Sequence, residues 1–505
     1  MVVDERTAAF TALGIAMATG RPCALCCTSG SAVANYYPAV TEAFYQRIPL
    51  ILLTADRPED RIDQREGQSI RQKGLFHNHI LDEQQINEWS VDQANDLHQS
   101  WNICTSQSGP IHWNYPLSEP LYGKSEYPEM QPFEHHNEAI APEVVNWSSL
   151  AEEWKQYGRI LFIVGQNSQV EEVEKERAYL QAVQRSFPQV GLFYETLSNL
   201  SGIPGVACID RLVLTIREQE EADLLPDLVV SWGGEWVSRK VKQWLANNKQ
   251  LRHWHVDPLL HPDILQVPMQ KVIGHPTHFL QKVLEHFSPN LESTYAQQLQ
   301  RASQERSQLS CDTQIPWSDL RLFQYLSEKL PEKLHLFNGN SSVVRYIQLF
   351  EWPASTFHLG NRGVSGIDGM TATALGYASA IKEEVLLISG DLAFLYDSNA
   401  FWQTVPPNFK VLVVNNGGGG IFRIIDGPSE SGWLEEHFEQ HHSRKAEELA
   451  HLYGLPYLRA QSEEELNNVF HSWLSQERCG ILEVFTPRES NNLVLKQYFK
   501  KLKNG

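Results

Sequence analysis

The sequence predicts an α/β protein of three domains, each with a parallel sheet flanked by helices. Short aliphatic runs recur along the chain and end at glycine or polar residues, as doubly buried parallel strands do. The same helix–strand–glycine order occurs near both ends. At 505 residues the chain also exceeds what one hydrophobic core organises.

The elements follow in chain order. Thr11-Ala12-Leu13-Gly14 opens a small-residue helix, and Cys23 to Cys27 reads as a buried strand running into Thr28-Ser29-Gly30. Lys124 to Ser149, rich in Pro, Glu and His, reads as a linker, as does the polar stretch Ser288 to Pro316. These divide the chain into residues 1–125, 150–287 and 317–505. In the middle block Ile160 to Val164, Leu228 to Ser231 and His253 to Val256 alternate with helical segments, the pattern of a Rossmann-like unit. No G-x-G-x-x-G follows any of its strands, which argues against a bound dinucleotide. In the last block Thr373-Ala374-Leu375-Gly376 opens a second small-residue helix before the strand Val385 to Ser389.

The chemistry concentrates at the ends of two strands. Val385 to Ser389 leads into Gly390-Asp391, and Val411 to Val414 leads into Asn415-Asn416 and Gly417 to Gly420. Asp397 to Val405 between them is long enough for a crossover helix, which places Asp391 and Asn416 at one carboxyl edge, where α/β folds bind ligands. A carboxylate, an amide oxygen and a loop carbonyl suit a hard cation such as Mg²⁺, and the glycines let a diphosphate approach the backbone. The same residues are also ordinary turn chemistry. No Lys-Ser or Lys-Thr follows the glycines, so a Walker-type loop is excluded.

Composition bounds the partners. A net charge of −19 disfavours nucleic acid and anionic membrane. No apolar run approaches the ~18 residues of a membrane span, and Met1 to Arg6 does not resemble a signal peptide. Seven scattered cysteines suit a reducing cytoplasm. Cys23-x-x-Cys26-Cys27 lacks a second ligand pair for zinc, and His77, His79, His441 and His442 read as loop or surface residues.

Several stretches together resemble the thiamine-diphosphate-dependent enzymes. They are VDERTAAFTALGIA, TSGSAVAN, LLTADRP, GQSIRQ, SEPLYG, GNSSVVR, NRGVSGIDG, GDLAFLYD and NNGGGGIF. Asn340-Ser341-x-Val-Val-Arg345 with Asn361-Arg362-Gly-x-Ser-Gly-Ile367-Asp-Gly369 narrows the resemblance to the menaquinone-pathway family, the 2-succinyl-5-enolpyruvyl-6-hydroxy-3-cyclohexene-1-carboxylate synthases.

The resemblance implies a thiamine-diphosphate-binding fold. Residues 1–125 would bind the pyrimidine, 150–287 form a central domain and 317–505 bind the diphosphate. It implies thiamine diphosphate with Mg²⁺ or Mn²⁺, the ion held by Asp391, Asn416 and the Gly418 carbonyl, with Gly390 and Leu392 at the cofactor. The wider family has glycine where Leu392 stands. Ile367 is implied to wedge beneath the cofactor and Glu5 to be the catalytic carboxylate; without the resemblance, Asp4-Glu5 reads as acidic residues opening a helix. The implied substrates, 2-oxoglutarate and isochorismate, are multiply anionic, and Arg57, Arg345 and Arg362 with Gln68 and Ser341 would hold their carboxylates. Arg239-Lys240 stands where the family has Lys-Arg, and Arg71 reads as a surface ion pair. A homodimer or tetramer is implied, the pyrimidine-binding domain of one subunit serving the diphosphate-binding domain of its partner.

Family members also carry an earlier βα unit and a Ser-Pro-Gly-Ser-Arg motif, and neither occurs here. The expectation is a first domain lacking its N-terminal βα unit, most simply through a misassigned start codon. Protein expressed from Met1 is then expected to fold poorly or turn over slowly.

Overall fold

A computed structural model describes residues 1–87, 90–118, 145–425 and 427–504. Most of the Lys124 to Ser149 segment and of the SEPLYG motif lies outside the described residues. The structure is α/β with three parallel sheets. The first contains β1 (Cys23–Cys27), β2 (Leu50–Asp56), β3 (Asp82–Gln85) and β4 (Ile111–Pro116), in the order β1-β2-β4-β3. The second contains β5 (Ile160–Val164), β6 (Val190–Tyr194), β7 (Leu228–Trp232), β8 (Arg252–Asp257) and β9 (Met269–Ile273), in the order β6-β5-β7-β8-β9. The third contains β10 (His335–Asn338), β11 (Phe357–Leu359), β12 (Val385–Gly390), β13 (Phe409–Asn415), β14 (Tyr457–Ala460) and β15 (Ile481–Phe485), in the order β11-β10-β12-β13-β15-β14.

The chain folds into two compact units. One comprises Met1–Ala141, Asn361–Lys382 and Tyr396–Phe409; the other comprises Pro142–Gly360, Glu383–Leu395 and Lys410–Gly505. The second unit holds the second and third sheets. Asn199 links them, because its side chain donates to His358 O (2.9 Å) beside β10 and accepts from His358 N (2.6 Å).

In the first unit the two Thr-Ala-Leu-Gly segments lie within helices, not at their starts. The helices run Glu5–Thr19 and Met370–Ala380, and they pack directly against each other. The contact is reciprocal. A Cβ on Gly14 would sit 2.0 Å from Thr373 O, and one on Gly376 would sit 2.0 Å from Thr11 O. Each helix therefore supplies a glycine where the other presents a backbone carbonyl, and the repeat seen in the sequence is one self-matching crossing. Glu5 begins the first helix, after Asp4, whose side chain caps Thr7 N (3.0 Å).

Four local expectations are corrected. Ser288 to Pro316 is not a linker, since it contains the helix Tyr295–Cys311. Its buried face includes Arg306 and Ser310 with Tyr295, Leu299 and Ala302, so polar residues conceal its period. Arg306 is fully buried but ion-paired with Glu220 and Glu305, and Ser310 bonds to Tyr498. The connection from β12 to β13 is not a helix over Asp397 to Val405. An α-helix begins at Asp391 itself and runs to Tyr396, and a single 3₁₀ segment follows at Ser398–Trp402. β1 is not buried, because it lies at the sheet edge with Cys26 exposed and Cys23 and Cys27 half-buried. His442 is buried, whereas His441 and His77 are exposed.

Glu176 is buried in the second unit, where it accepts from Trp232 Nε1 (3.1 Å) and Asn167 Nδ2 (3.5 Å). Burial pushes its carboxyl up to about 7, against the pull of those donors. The folded state thus binds this proton more tightly than the unfolded chain, and its contribution to stability falls as pH rises from the ordinary glutamate range towards 7. Glu176→Gln removes the cost of the buried charge. Relative to the parent, the variant's melting temperature should rise from pH 5 to pH 8; a difference independent of pH overturns this reading.

The helix crossing makes a second prediction. Glycine to alanine inside a helix ordinarily stabilises by about 1 kcal/mol. At Gly14 or Gly376 the sign should invert, with a loss of about 1–3 kcal/mol from overpacking, read by denaturant unfolding. A gain at either position would show that the crossing yields without cost.

Candidate cofactor site

β12 and β13 are neighbours and fully buried along their aliphatic residues, so both end on one sheet edge. β12 delivers Gly390 and Asp391 there, and β13 delivers Asn415 and Asn416. Asp391 is only 5% exposed. Its Oδ1 accepts from Leu392 N (2.7 Å) and its Oδ2 from Gly418 N (2.9 Å), which ties the acid to the glycine loop. Gly417, Gly418 and Gly419 have φ of 81°, 93° and 70°, a run that side chains resist. A Cβ on Gly418 would meet Gln440 O at 2.1 Å.

The two asparagines have different tasks. Asn415 holds the framework, donating to Arg444 O (3.1 Å) and Glu483 Oε1 (2.7 Å). Asn416 donates through Nδ2 to Asp319 Oδ2 (3.0 Å), which leaves Oδ1 as its acceptor for another group. Asp319 is buried; burial pushes its carboxyl up to about 6, Thr486 and Asn416 pull it down, and Asp391 pushes it up. His442 Nε2 lies 3.5 Å from Asp391 Oδ2. Its Nδ1 accepts from Arg444 N (3.1 Å), so in the neutral ring the proton sits on Nε2, facing the acid.

This donor set fits a hard cation. It offers one carboxylate, one amide oxygen and backbone carbonyls, beside glycines where a diphosphate can come close. No group of three or more His, Cys, Asp or Glu suited to a metal occurs among the described residues. An ion on Asp391 and Asn416 would therefore need further oxygen ligands, such as phosphates supply.

A second cluster lies in the same unit. Asp210 is half-buried; desolvation raises its carboxyl, while Ser238, Arg345 and Lys240 pull it down. Ser238 donates to it directly. Arg345 and Lys240 thus flank one carboxylate. Arg345 also donates to Ser341 O (2.5 Å), and Ser341 has the strained φ of 70°. Of the Arg239-Lys240 pair, Lys240 is half-buried and Arg239 is exposed.

The remaining predicted residues belong to the first unit. Glu5 is half-buried and near enough to Cys27 and Tyr36 to raise both; burial dominates and pushes Cys27 up to about 11. Arg57 donates to Gly67 O (3.3 Å). Gln68 is exposed with φ of 56°, and its carbonyl accepts from Ser29 Oγ (2.7 Å). Arg71 pairs with Asp63 (2.8 Å) at the surface, as expected. Arg362 is buried, and Ile367 is 37% exposed despite its apolar side chain.

Sequence reasoning missed the residues that hold these loops. Glu42, buried on the helix Tyr37–Gln46, accepts from Gly363 N (2.6 Å) and Val364 N (2.8 Å). It thereby anchors the loop that carries Arg362 and Ile367. Gln72 reaches Gly30 N (2.9 Å), Ala55 O (3.0 Å) and Asn114 Oδ1 (2.8 Å), joining three segments of the first sheet's edge. Its place in the quoted GQSIRQ stretch was the available hint. Nothing in the sequence around Glu42 or Asp319 marks either.

Comparison with known proteins gives these clusters a context. Residues 1–86 match the family described as thiamine pyrophosphate enzyme, N-terminal TPP binding domain, and residues 339–484 match the corresponding C-terminal TPP binding domain. The 2-succinyl-5-enolpyruvyl-6-hydroxy-3-cyclohexene-1-carboxylate synthase of Flavobacterium johnsoniae is 37% identical over 514 residues, covering 99% of this chain and 91% of that protein. The protein of the same name from Christiangramia forsetii is 37% identical over 538 residues, covering 100% and 92%. That from Porphyromonas gingivalis is 36% identical over 526 residues, covering 99% and 89%. With its parallel sheets and its Gly-Asp and Asn-Asn strand ends, the chain belongs to the 2-succinyl-5-enolpyruvyl-6-hydroxy-3-cyclohexene-1-carboxylate synthase family of thiamine pyrophosphate enzymes.

Proposed function

We propose that this protein decarboxylates 2-oxoglutarate and adds the remaining four-carbon unit to isochorismate, forming 2-succinyl-5-enolpyruvyl-6-hydroxy-3-cyclohexene-1-carboxylate for menaquinone biosynthesis. The names of its relatives support the reaction. The observation that carries it to named residues is the strand-end geometry, with Asp391 bonded to the Gly418 backbone beside Asn416. Residues 1–125 would serve as the pyrimidine-binding domain, 150–287 as the central domain and 317–505 as the diphosphate-binding domain. The working unit is a homodimer or tetramer. Seven free cysteines favour a reducing compartment such as the cytoplasm.

Thiamine diphosphate, when bound, supplies a carbon nucleophile and an electron sink for loss of CO₂ from a 2-oxo acid. Asp391, Asn416 Oδ1 and the Gly418 carbonyl would hold Mg²⁺ or Mn²⁺ against the diphosphate, with Gly390 and Leu392 beside them. Glu5, at the start of the first helix, would hold a proton at the pyrimidine ring nitrogen. Ile367, exposed and apolar, offers a wedge for the cofactor's central region. Arg57, Arg345 and Arg362, with Arg239, Lys240, Gln68 and Ser341, are assigned to substrate carboxylates, since guanidinium forks match them in both geometry and charge. Arg345 and Lys240 around Asp210 support that assignment best.

Glu5→Gln keeps size and removes the proton-holding acid. Turnover, measured as CO₂ release with 2-oxoglutarate and isochorismate, should fall about 10²–10⁴-fold, while calorimetric affinity for thiamine diphosphate with Mg²⁺ changes little. Unaltered turnover removes Glu5 from the mechanism. Asp391→Ala should abolish cofactor binding in the same titration, and undiminished affinity would remove the metal assignment. A parent protein that releases CO₂ from pyruvate but not from 2-oxoglutarate would overturn the substrate assignment.

A further inference from the structure

Asp319 has no place in the motifs that identify the family, yet it is 2% exposed and sits against the proposed cation site. It opens the helix Asp319–Lys329, where the helix dipole favours negative charge. Both carboxylate oxygens are in use: Oδ1 accepts from Thr486 Oγ1 (2.5 Å) and Oδ2 from Asn416 Nδ2 (3.0 Å). Its backbone N–H donates to Asn491 Oδ1 (2.9 Å). The topology explains the meeting. Thr486 follows β15, which neighbours β13, and Thr486 N donates to Asn415 O (3.1 Å). Trp317 Nε1 donates to Phe485 O (3.0 Å), pinning the approach to the helix to the same strand end.

A primary amide can face a cation with either its oxygen or its NH₂ group, and only the oxygen binds. A buried carboxylate behind Asn416 decides between them, because it accepts from NH₂ and repels the amide oxygen. We infer that Asp319 is a positioning residue for the cation, locking the Asn416 amide with Oδ1 towards the ion. This rests on the proposed cofactor reading, in which Asn416 is a metal ligand. Partners behind metal ligands of this kind typically change metal affinity about 10–100-fold when removed.

The test titrates Mg²⁺ into protein with saturating thiamine diphosphate, followed by calorimetry and by tryptophan fluorescence. Asp319→Ala should weaken Mg²⁺ about 10–100-fold. Asp319→Asn, whose amide oxygen can still accept from Asn416 while its NH₂ faces Thr486 Oγ, should restore most of the affinity. In an Asn416→Ala background, Asp319→Ala should cost nothing further. Should Asp319→Ala fail to fold, Asp319→Ser carries the same expectation, because its hydroxyl is too short to reach Asn416. Parental Mg²⁺ affinity in Asp319→Ala or Asp319→Ser overturns the inference, as do losses that add in full in the double variant. Either result leaves the cofactor reading standing. If the parent protein itself shows no Mg²⁺-dependent binding of thiamine diphosphate, the cofactor reading falls, and the role of Asp319 falls with it.

Discussion

The crossing of the helices Glu5–Thr19 and Met370–Ala380 is the contact on which the first unit depends. Two helices can approach this closely only where side chains are absent, and Gly14 and Gly376 supply that absence on opposite sides. The crossing also governs the residues assigned to chemistry. Glu5 stands at the start of one helix, and the Asn361–Gly369 loop leads directly into the other. Thr373, at the contact, accepts from Asn361 Nδ2 (3.0 Å) in that loop, and Gly369 has no room for a Cβ beside Phe10. A change in helix spacing would therefore shift a carboxylate and a loop together.

Around this frame the protein repeatedly uses buried acids to hold backbone and amide donors. Glu42 holds Gly363 and Val364, Asp397 caps Ala372 N (2.8 Å), and Asp319 holds Asn416. In each case burial raises the carboxyl, whereas the donors pull it down. An acid in this setting costs stability when charged, but it orders loops that otherwise carry unpaired N–H groups. The loops so ordered carry the proposed cation donors, Arg362 and Ile367. Net charge hides this arrangement, since most acidic residues of a chain at −19 face water.

Much of the fold was legible in advance. The runs at Ile160 to Val164, Val385 to Ser389 and Val411 to Val414 are aliphatic because both faces of their sheets are covered, so their strands could be placed within two residues. Edge and polar elements were harder. β1 has one neighbour and alternates in burial, although its Cys-Ala-Leu-Cys-Cys composition suggests a central strand. The helix Tyr295–Cys311 buries an arginine against acids distant in sequence, a compensation that no local pattern records.

The sequence by itself determined the strand ends, the glycine loop, the paired Thr-Ala-Leu-Gly helices and the family resemblance, because these rest on local periodicity and on residues close along the chain. Only the tertiary structure decided how those residues are used. It separated Asn415 from Asn416, turned Lys240 inward and left Arg239 exposed, and brought His442 from an assumed surface position to Asp391. It also placed Asp319 behind Asn416 across 97 residues of chain. The physical reason is common to all four: a side chain's role depends on which donors and charges surround it, and those neighbours come from elements distant in sequence.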